Sequence, residues 1–324
     1  MVFTKNALHL DAEAESHRIC EFLQDQVFHA YKRKGAVIGI SGGVDSAVSA
    51  SLCVRALGPE HVLGLILPEK ESNPISEPLA RQQAEKLGIC VERVDLTPIL
   101  STMGVYERKN QAISRLCPDY DPDRDKTKIS LPPDLLGQGG YNVFSLTVIK
   151  PDGDTRVFRL GAEDFQAIEA AQNMKTRSRM IQLYSYSEKL HYIVCGTTNR
   201  TELEQGFFVR YGDGGVDVEP LAHLYKTQIY QLARHVGVVE GILNRMPSPD
   251  TWSAGVGDEE FYFRMKFDVL DMLLYAWSNQ VAESEIRDVL CLTEDQIARA
   301  FRDFESKKRA TWHLRAMPVS LPLS

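Results

Sequence analysis

The residues best suited to chemistry stand in one short stretch, Ser41-Gly42-Gly43-Val44-Asp45-Ser46. Two adjacent glycines let a backbone turn tightly and approach a ligand with no Cβ in the way. The residues after the turn read as a helix, whose unpaired N–H groups and positive dipole end face the same space. Such a loop cradles an anion. Ser41 and Ser46 add hydroxyl donors, and a carboxylate at Asp45 beside an anion makes sense when a divalent cation such as Mg2+ sits between the two. The loop is not of the Walker type, because it lacks the Lys and the longer spacing of Gly-x-x-x-x-Gly-Lys-Ser/Thr. A bare Gly-Gly pair is more often a packing corner; the six residues together point to a phosphate site.

The elements that must position this loop are read from periodicity. Val37, Ile38 and Ile40 form a short apolar run that reads as a buried parallel strand, and Ala47, Ala50 and Leu52 are spaced along a helix after it. A second strand over 62–67, a helix over 77–87 and a third strand over 89–94 extend the order to βαβαβ. That order predicts an α/β fold with a doubly wound parallel sheet flanked by helices, preceded by an amphipathic helix over 12–31. Ligands in such sheets lie beyond the strand C-termini, where both the glycine loop and Leu67-Pro68-Glu69-Lys70 fall.

Between 104 and 160 the rhythm changes: Pro118, Pro122, Pro132, Pro133, Gly137, Gly139 and Gly140 punctuate it, around a charged tract over 119–128. Two β-like runs, 141–149 and 155–160, flank Pro151-Asp152-Gly153-Asp154 and predict a hairpin. The segment reads as an insertion over the site or at an interface, or equally as a surface excursion. A helix over 170–186, a strand over 192–195 and a helix over 226–236 resume the pattern. The part from Glu259 on is helical, with Phe263, Phe267, Leu270, Leu273 and Leu274 on one face and a capped start at Thr293. The organisation expected is one domain over 1–324 carrying an insertion at about 104–160.

With 324 residues, 44% hydrophobic and 25% charged, the chain can bury a full core. A net charge of -7 disfavours nonspecific nucleic-acid binding, so any anionic ligand must meet clustered positive charge. Cys20, Cys53, Cys90, Cys117, Cys195 and Cys291 form no Cys-x-x-Cys pair, which argues against a zinc site or disulfide framework and for the reducing cytoplasm. No apolar run approaches the roughly 20 residues of a membrane span, and residues 1–10 hold no long apolar core behind a basic start, so export is not expected.

Further stretches combine with the loop. Lys175 and Arg179 stand at i and i+4 of one helix, a spacing usually read as a solvated basic face, with Arg177 elsewhere. Residues 196–226, GTTNRTELEQGFFVRYGDGGVDVEPLAHLYK, hold Glu202, Arg210, Asp213, Asp217 and Lys226 in glycine-rich chain. Pro247-Ser248-Pro249-Asp250, Gly257-Asp258-Glu259-Glu260 and Ser306-Lys307-Lys308-Arg309 come after them in that order. SGGVDS resembles the pyrophosphate loop of the ATP pyrophosphatase superfamily, and the ordered set resembles NAD synthetase over roughly 12–103 and 166–318.

The resemblance implies that Gly39, Ile40, Ser41, Gly42, Gly43, Val44, Asp45 and Ser46 bind ATP phosphates, with Thr197, Lys226 and Ser248 also contacting ATP. It implies that Asp45 and Glu202 hold Mg2+, and that Arg177, Arg210, Asp217, Ser306 and Lys307 bind the acid dinucleotide, deamido-NAD. The chain departs from the family's pattern at Ala47 (Ser or Thr), Arg210 (Lys), Ser248 (Thr) and Ser306 (His), and its insertion is longer. The implied reaction is ATP-dependent amidation of deamido-NAD through an acyl-adenylate. A carboxylate must be activated before ammonia can displace its oxygen, and ATP does this while AMP and pyrophosphate are released. Fewer than forty residues precede the loop, too few for a glutaminase domain, so free ammonia or a separate glutaminase subunit is the expected nitrogen source. A homodimer is the assembly the family implies. The rivals are a related ligase acting on a different acid, which swapping acids would separate, and a nucleotide sensor without catalysis. Against the sensor stands the presence of both Asp45 and Glu202.

Overall fold

The computed structural model describes residues 3–137 and 142–321. The predicted parallel sheet is present, with β1 (Ala36–Gly39), β2 (Val62–Ile66), β3 (Cys90–Arg93) and, much later in the chain, β7 (Ile193–Cys195) in the order β3-β2-β1-β7. Ala36 is in register with Val62 on one side and Ile193 on the other. Strand side chains alternate between two cores. Ala36, Ile38, Val62 and Ile66 enter one, against the helices Ala12–Gln24, Val44–Leu57 and Lys226–Val236. Val37 and Leu65 enter the other, with Leu96, Leu100, Val105 and Ala171. That second face is covered by the 29-residue helix Ala162–Leu190 and the helices Thr97–Thr102 and Val105–Leu116.

The chain winds outward from β1 through β2 to β3, then returns to place β7 on the other flank of β1. The winding therefore reverses between β1 and β7, and the crevice beyond their C-terminal ends is where such sheets take ligands. The glycine loop leaves β1 and the Gly196-Thr197-Thr198-Asn199 turn leaves β7, so both open into that crevice. The lead-in helix starts on Asp11, whose side chain accepts from Ala14 N at 3.0 Å, and ends in a π-turn over Asp25–Ala30.

The described residues of segment 104–160 hold more regular structure than their composition predicts. Residues Val105–Leu116 are helical, with Val105, Ala112 and Ile113 turned inward, and the proline-rich chain begins only after them. The hairpin forms as β5 (Ser145–Ile149) and β6 (Thr155–Arg159), and β4 (Lys126–Ser130) joins it to make an antiparallel sheet β4-β5-β6. Strand β4 emerges from the charged tract because Thr127 and Ile129 face inward while Lys126 and Lys128 take the other face. Ile129, Leu146 and Val148 share a core with Leu160, Ile168 and Trp252. Gly139, Gly140 and Tyr141 lie outside the described residues.

The C-terminal part is helical as expected. Phe267–Ser278, Glu283–Leu290 and Glu294–Ala310 pack around Phe263, Phe267, Leu270, Leu273 and Phe304. Thr293 caps the last of these, accepting from Gln296 N while the Gln296 side chain accepts from Thr293 N.

Two glycines separate strain from crowding. Gly42 (φ +76) and Gly88 (φ +68) both adopt the left-handed conformation, but a Cβ at Gly42 would run into the Ser76 carbonyl while one at Gly88 meets open space. Gly42→Ala should therefore destabilise the fold more than Gly88→Ala, by about 1–3 kcal/mol, the range for overpacking. Urea unfolding of the two variants measures this, and equal midpoints would refute it.

Candidate active site

The glycine loop is held by its own serines. Ser46 Oγ accepts from Ser41 N at 3.2 Å and donates to Gly43 O at 3.0 Å, while Ser41 Oγ accepts from Gly43 N at 3.2 Å. Ser46 is thus a pin that shapes the turn, where the sequence suggests a donor for the anion. Gly42 turns its carbonyl to Arg245, whose guanidinium also donates to Ser76 Oγ at 2.9 Å and stands 3.5 Å from Asp250. A cation is thereby moored at the lip of the cradle.

Asp45 lies in the first turn of the helix Val44–Leu57, next to the second loop. There Asn199 caps the helix Arg200–Gln205: its side chain accepts from Glu202 N at 3.1 Å, and the Glu202 carboxylate accepts from Asn199 N at 3.2 Å. The capping box leaves the Asn199 amide free to donate to Asp45 Oδ1 at 2.9 Å. The Lys226 ammonium, buried at the first turn of its helix, binds Asp45 Oδ2 at 2.6 Å and Glu202 Oε1 at 3.3 Å. Sharing one nitrogen, the two carboxylate oxygens are no farther apart than the sum of those distances.

Three carboxylates crowd this one ammonium. Burial pushes Glu202 up to about 8, with Asp45 and Asp258 adding to the rise and Lys226 opposing it. Asp258 is raised to about 6, chiefly by burial, and its Oδ1 has no hydrogen-bond partner. Burial disfavours charge on Lys226, but Asp45, Glu202 and Asp258 outweigh it and its pKa rises. The centre is short of positive charge.

One cleft of about 1030 Å³ opens over this centre. Most of the glycine loop lines it, as do Thr197, Glu202, Lys226 and Ser248, and so do Arg177, Arg210, Ser306 and Lys307 from distant parts of the chain. Two expected residues do not. Gly42 is turned to Arg245, and Asp217 is spent on the scaffold, its carboxylate accepting from Val194 N at 2.7 Å and Tyr184 Oη at 3.1 Å. Lys307 is buried, paired with Asp303 at 2.9 Å, and burial lowers its pKa against the pull of that partner.

The NAD synthase family matches residues 15–117 and 148–318. The chain belongs to that family. It is 43% identical to the NH(3)-dependent NAD(+) synthetase of Mesorhizobium japonicum, covering 96% of this chain and 97% of that one. It is 40% identical to the enzyme of the same name from Rhizobium rhizogenes, over 98% and 95% of the two chains. Among solved structures, the NH3-dependent NAD synthetase of Campylobacter jejuni shares the fold with a TM-score of 0.62 and 22% identity, covering 97% of this chain and all of that one.

Within this NAD synthase fold, Asp258, Asn199 and Arg245 belong to the centre although no sequence pattern assigns them a role. Asp258 stands in the Gly-Asp-Glu-Glu stretch, where its neighbours look equally acidic, and only burial singles it out. Lys175 corrects the solvated-face reading of its helix. It is fully buried, bound to Glu69 at 2.9 Å, Glu71 at 2.5 Å and Thr251 O at 2.9 Å, because the loop carrying Ser248 closes over that face. Lys109 pairs with the same Glu71.

The donor set suits Mg2+. Two carboxylates near one buried lysine, with a third carboxylate orphaned close by, leave negative charge that a divalent cation would balance. Among the described residues no group of three or more His, Cys, Asp or Glu is arranged to hold a metal by itself. Mg2+ ordinarily completes its shell with water and substrate phosphates, so one or two carboxylates are enough.

Glu219 gives a pH test outside this centre. Burial raises its pKa to about 8, although Thr198 N donates to it at 3.1 Å. The folded protein thus keeps a proton at neutral pH that the unfolded chain loses above about 4.5. Stability should fall as pH rises from that value through about 8. Denaturant unfolding at pH 6, 7 and 8 should show a shallower decline for Glu219→Gln than for the wild type. Parallel declines would show that the carboxyl is already ionised.

Proposed function

We propose that the chain converts deamido-NAD to NAD by ATP-dependent amidation with ammonia, releasing AMP and pyrophosphate. The observation that carries this reading is the Lys226 ammonium shared by Asp45 and Glu202 at the mouth of the cradle, inside a cleft that the acid-dinucleotide residues also line. ATP places its polyphosphate against the glycine loop. The nicotinate carboxylate oxygen attacks the α-phosphorus; the new O–P bond forms as the bond to the β-phosphate oxygen breaks. Pyrophosphate leaves into the loop, where backbone N–H groups, Lys226 and the moored Arg245 offset its charge. Ammonia attacks the acyl carbon, the C–O bond to AMP breaks, and a proton leaves nitrogen.

Asp45 and Glu202 would hold Mg2+, which supplies charge neutralisation for the triphosphate. Thr197 and Ser248 border the ATP side, while Arg177, Arg210, Ser306 and Lys307 supply the acid-dinucleotide side. Asp217 contributes to that side indirectly, by holding the β7 backbone. Much of the acceleration comes from positioning.

The working unit in this reading is one synthetase domain, with segment 104–160 inserted. Among the described residues all six cysteines are free thiols and no helix is long and apolar enough to cross a membrane, which supports a cytoplasmic enzyme. We also propose a homodimer, for which exposed Phe28, Tyr31, Ile181 and Tyr211 offer apolar surface. Sedimentation of a monomer at micromolar concentration would remove that assembly. Ammonia reaches the site free or from a separate glutaminase subunit.

Purified protein given ATP, Mg2+, ammonium and deamido-NAD should yield NAD, AMP and pyrophosphate in equal amounts. Turnover of another carboxylic acid but not this one would overturn the substrate. Asp45→Asn and Glu202→Gln should each slow AMP formation by about a hundredfold or more, the scale for losing one electrostatic partner of the reacting centre. Near-normal rates at saturating Mg2+ would remove their assigned role.

A further inference from the structure

Residues 118–147 fall between the two stretches that the family matches, and among the described residues there four reach the cleft: Ile129, Leu131, Asn142 and Phe144. They are fastened in place. Leu131 N donates to Phe261 O at 3.2 Å, Thr127 N to Ser253 Oγ at 2.9 Å, and the Phe144 ring stacks on Phe165 with centroids 4.8 Å apart. Asn142 is the polar member of the four, and its amide has both a donor end and an acceptor end. The donor end gives a hydrogen bond to Asp303 Oδ1 at 2.7 Å, and the acceptor end takes one from Arg264 Nη1 at 2.8 Å.

Those two partners are buried, and they lead to the cleft. Asp303 pairs through Oδ2 with Lys307 Nζ at 2.9 Å, and Lys307 also donates to Tyr262 O at 3.1 Å. Arg264 is further tied to Pro132 O at 2.6 Å, within the same segment. Asn142 itself is exposed, so one surface amide completes a buried relay from Arg264 through Asp303 to Lys307.

We propose that Asn142 is a positioning residue for the acid-dinucleotide end of the site: by holding Asp303 it orients the carboxylate that aims the Lys307 ammonium into the cleft. This rests on the reading of Lys307 as a dinucleotide contact. An ammonium on a flexible four-carbon stem has many orientations, and a carboxylate held at its other oxygen leaves it few. The relay shares no bond with Asp45, Glu202 or Lys226, so its loss falls on the acid substrate and not on ATP.

Steady-state kinetics on the full chain test this. Asn142→Ala should raise KM for deamido-NAD about tenfold, the order expected when a hydrogen bond to a charged group is lost, with KM for ATP within about twofold. Asn142→Asp, which can still accept from Arg264 but sets a second carboxylate against Asp303, should raise it at least as much. Asp303→Asn should act in the same direction. Combined with Asn142→Ala it should do no more than the larger single change, because both act through one link. An unaltered KM in Asn142→Ala and Asn142→Asp would overturn the proposal. So would additive effects, or equal changes in both KM values together with a lowered melting midpoint, which mark a merely structural residue. Lys307→Met separates the layers. If it leaves KM for deamido-NAD unchanged, the reading of Lys307 fails; if it raises KM while the Asn142 variants do not, only the role of Asn142 fails.

Discussion

A buried ammonium among three carboxylates sets the terms for the rest of the molecule. Removing Lys226 from water is costly, and Asp45, Glu202 and Asp258 compensate only because three separate parts of the chain deliver them to one place. Asp45 comes with the helix after β1, Glu202 with the capping box after β7, and Asp258 with the segment leading into the C-terminal helices. Each element is therefore held in position twice, by its own apolar core and by this shared charge. The excess of negative charge that remains is what a divalent cation would balance.

Pre-organisation extends outward from that centre. The serine bonds of the glycine loop fix its turn in advance, so a ligand arriving there would not have to order it. Arg245 reaches the Gly42 carbonyl from beyond the helix Lys226–Val236 and joins the loop to Asp250. On the far side, Lys175 and Gln172 both donate to the Thr251 carbonyl, holding the Ser248 loop against the long helix. Cradle, carboxylates and closing loop form one connected polar framework.

Much of this is legible in the residues. The β-branched run at 37–40, the Gly-Gly turn and the apolar spacing of the following helix all favour the same local structure, and with the strands and helix that follow they predict the parallel sheet. The helix over 226–236 has the same bounds in sequence pattern and in structure. Segment 104–160 is harder, since the helix Val105–Leu116 presents few apolar residues and β4 begins inside a charged tract; their inward faces exist because Trp252, Leu160 and Ile168 arrive from elsewhere. The fate of individual charges is least legible. Lys175 and Arg179 have the spacing of a solvated pair, yet one is fully buried because loops distant in sequence cover it. Asp217 is expected as a ligand contact, and its carboxylate accepts from the backbone of β7, a partner the sequence does not show. Whether a charge meets solvent, substrate or scaffold depends on tertiary neighbours that no local pattern encodes.

The helix Ala162–Leu190, roughly 43 Å long at 1.5 Å per residue, has a consequence for how such a chain can diverge. Its first turns pack on the antiparallel sheet, its middle binds the Ser248 loop, and its later turns lie against β1 and β7. It acts as a ruler that fixes the distance between the antiparallel sheet at its start and the parallel sheet at its end. Drift in β5 and β6 is then registered at the near end of the ruler, while the strands beside the glycine loop are gauged at its far end. One rod thereby spaces two sheets that share no strand, and a chain that diverges in one of them keeps the same gauge to the other.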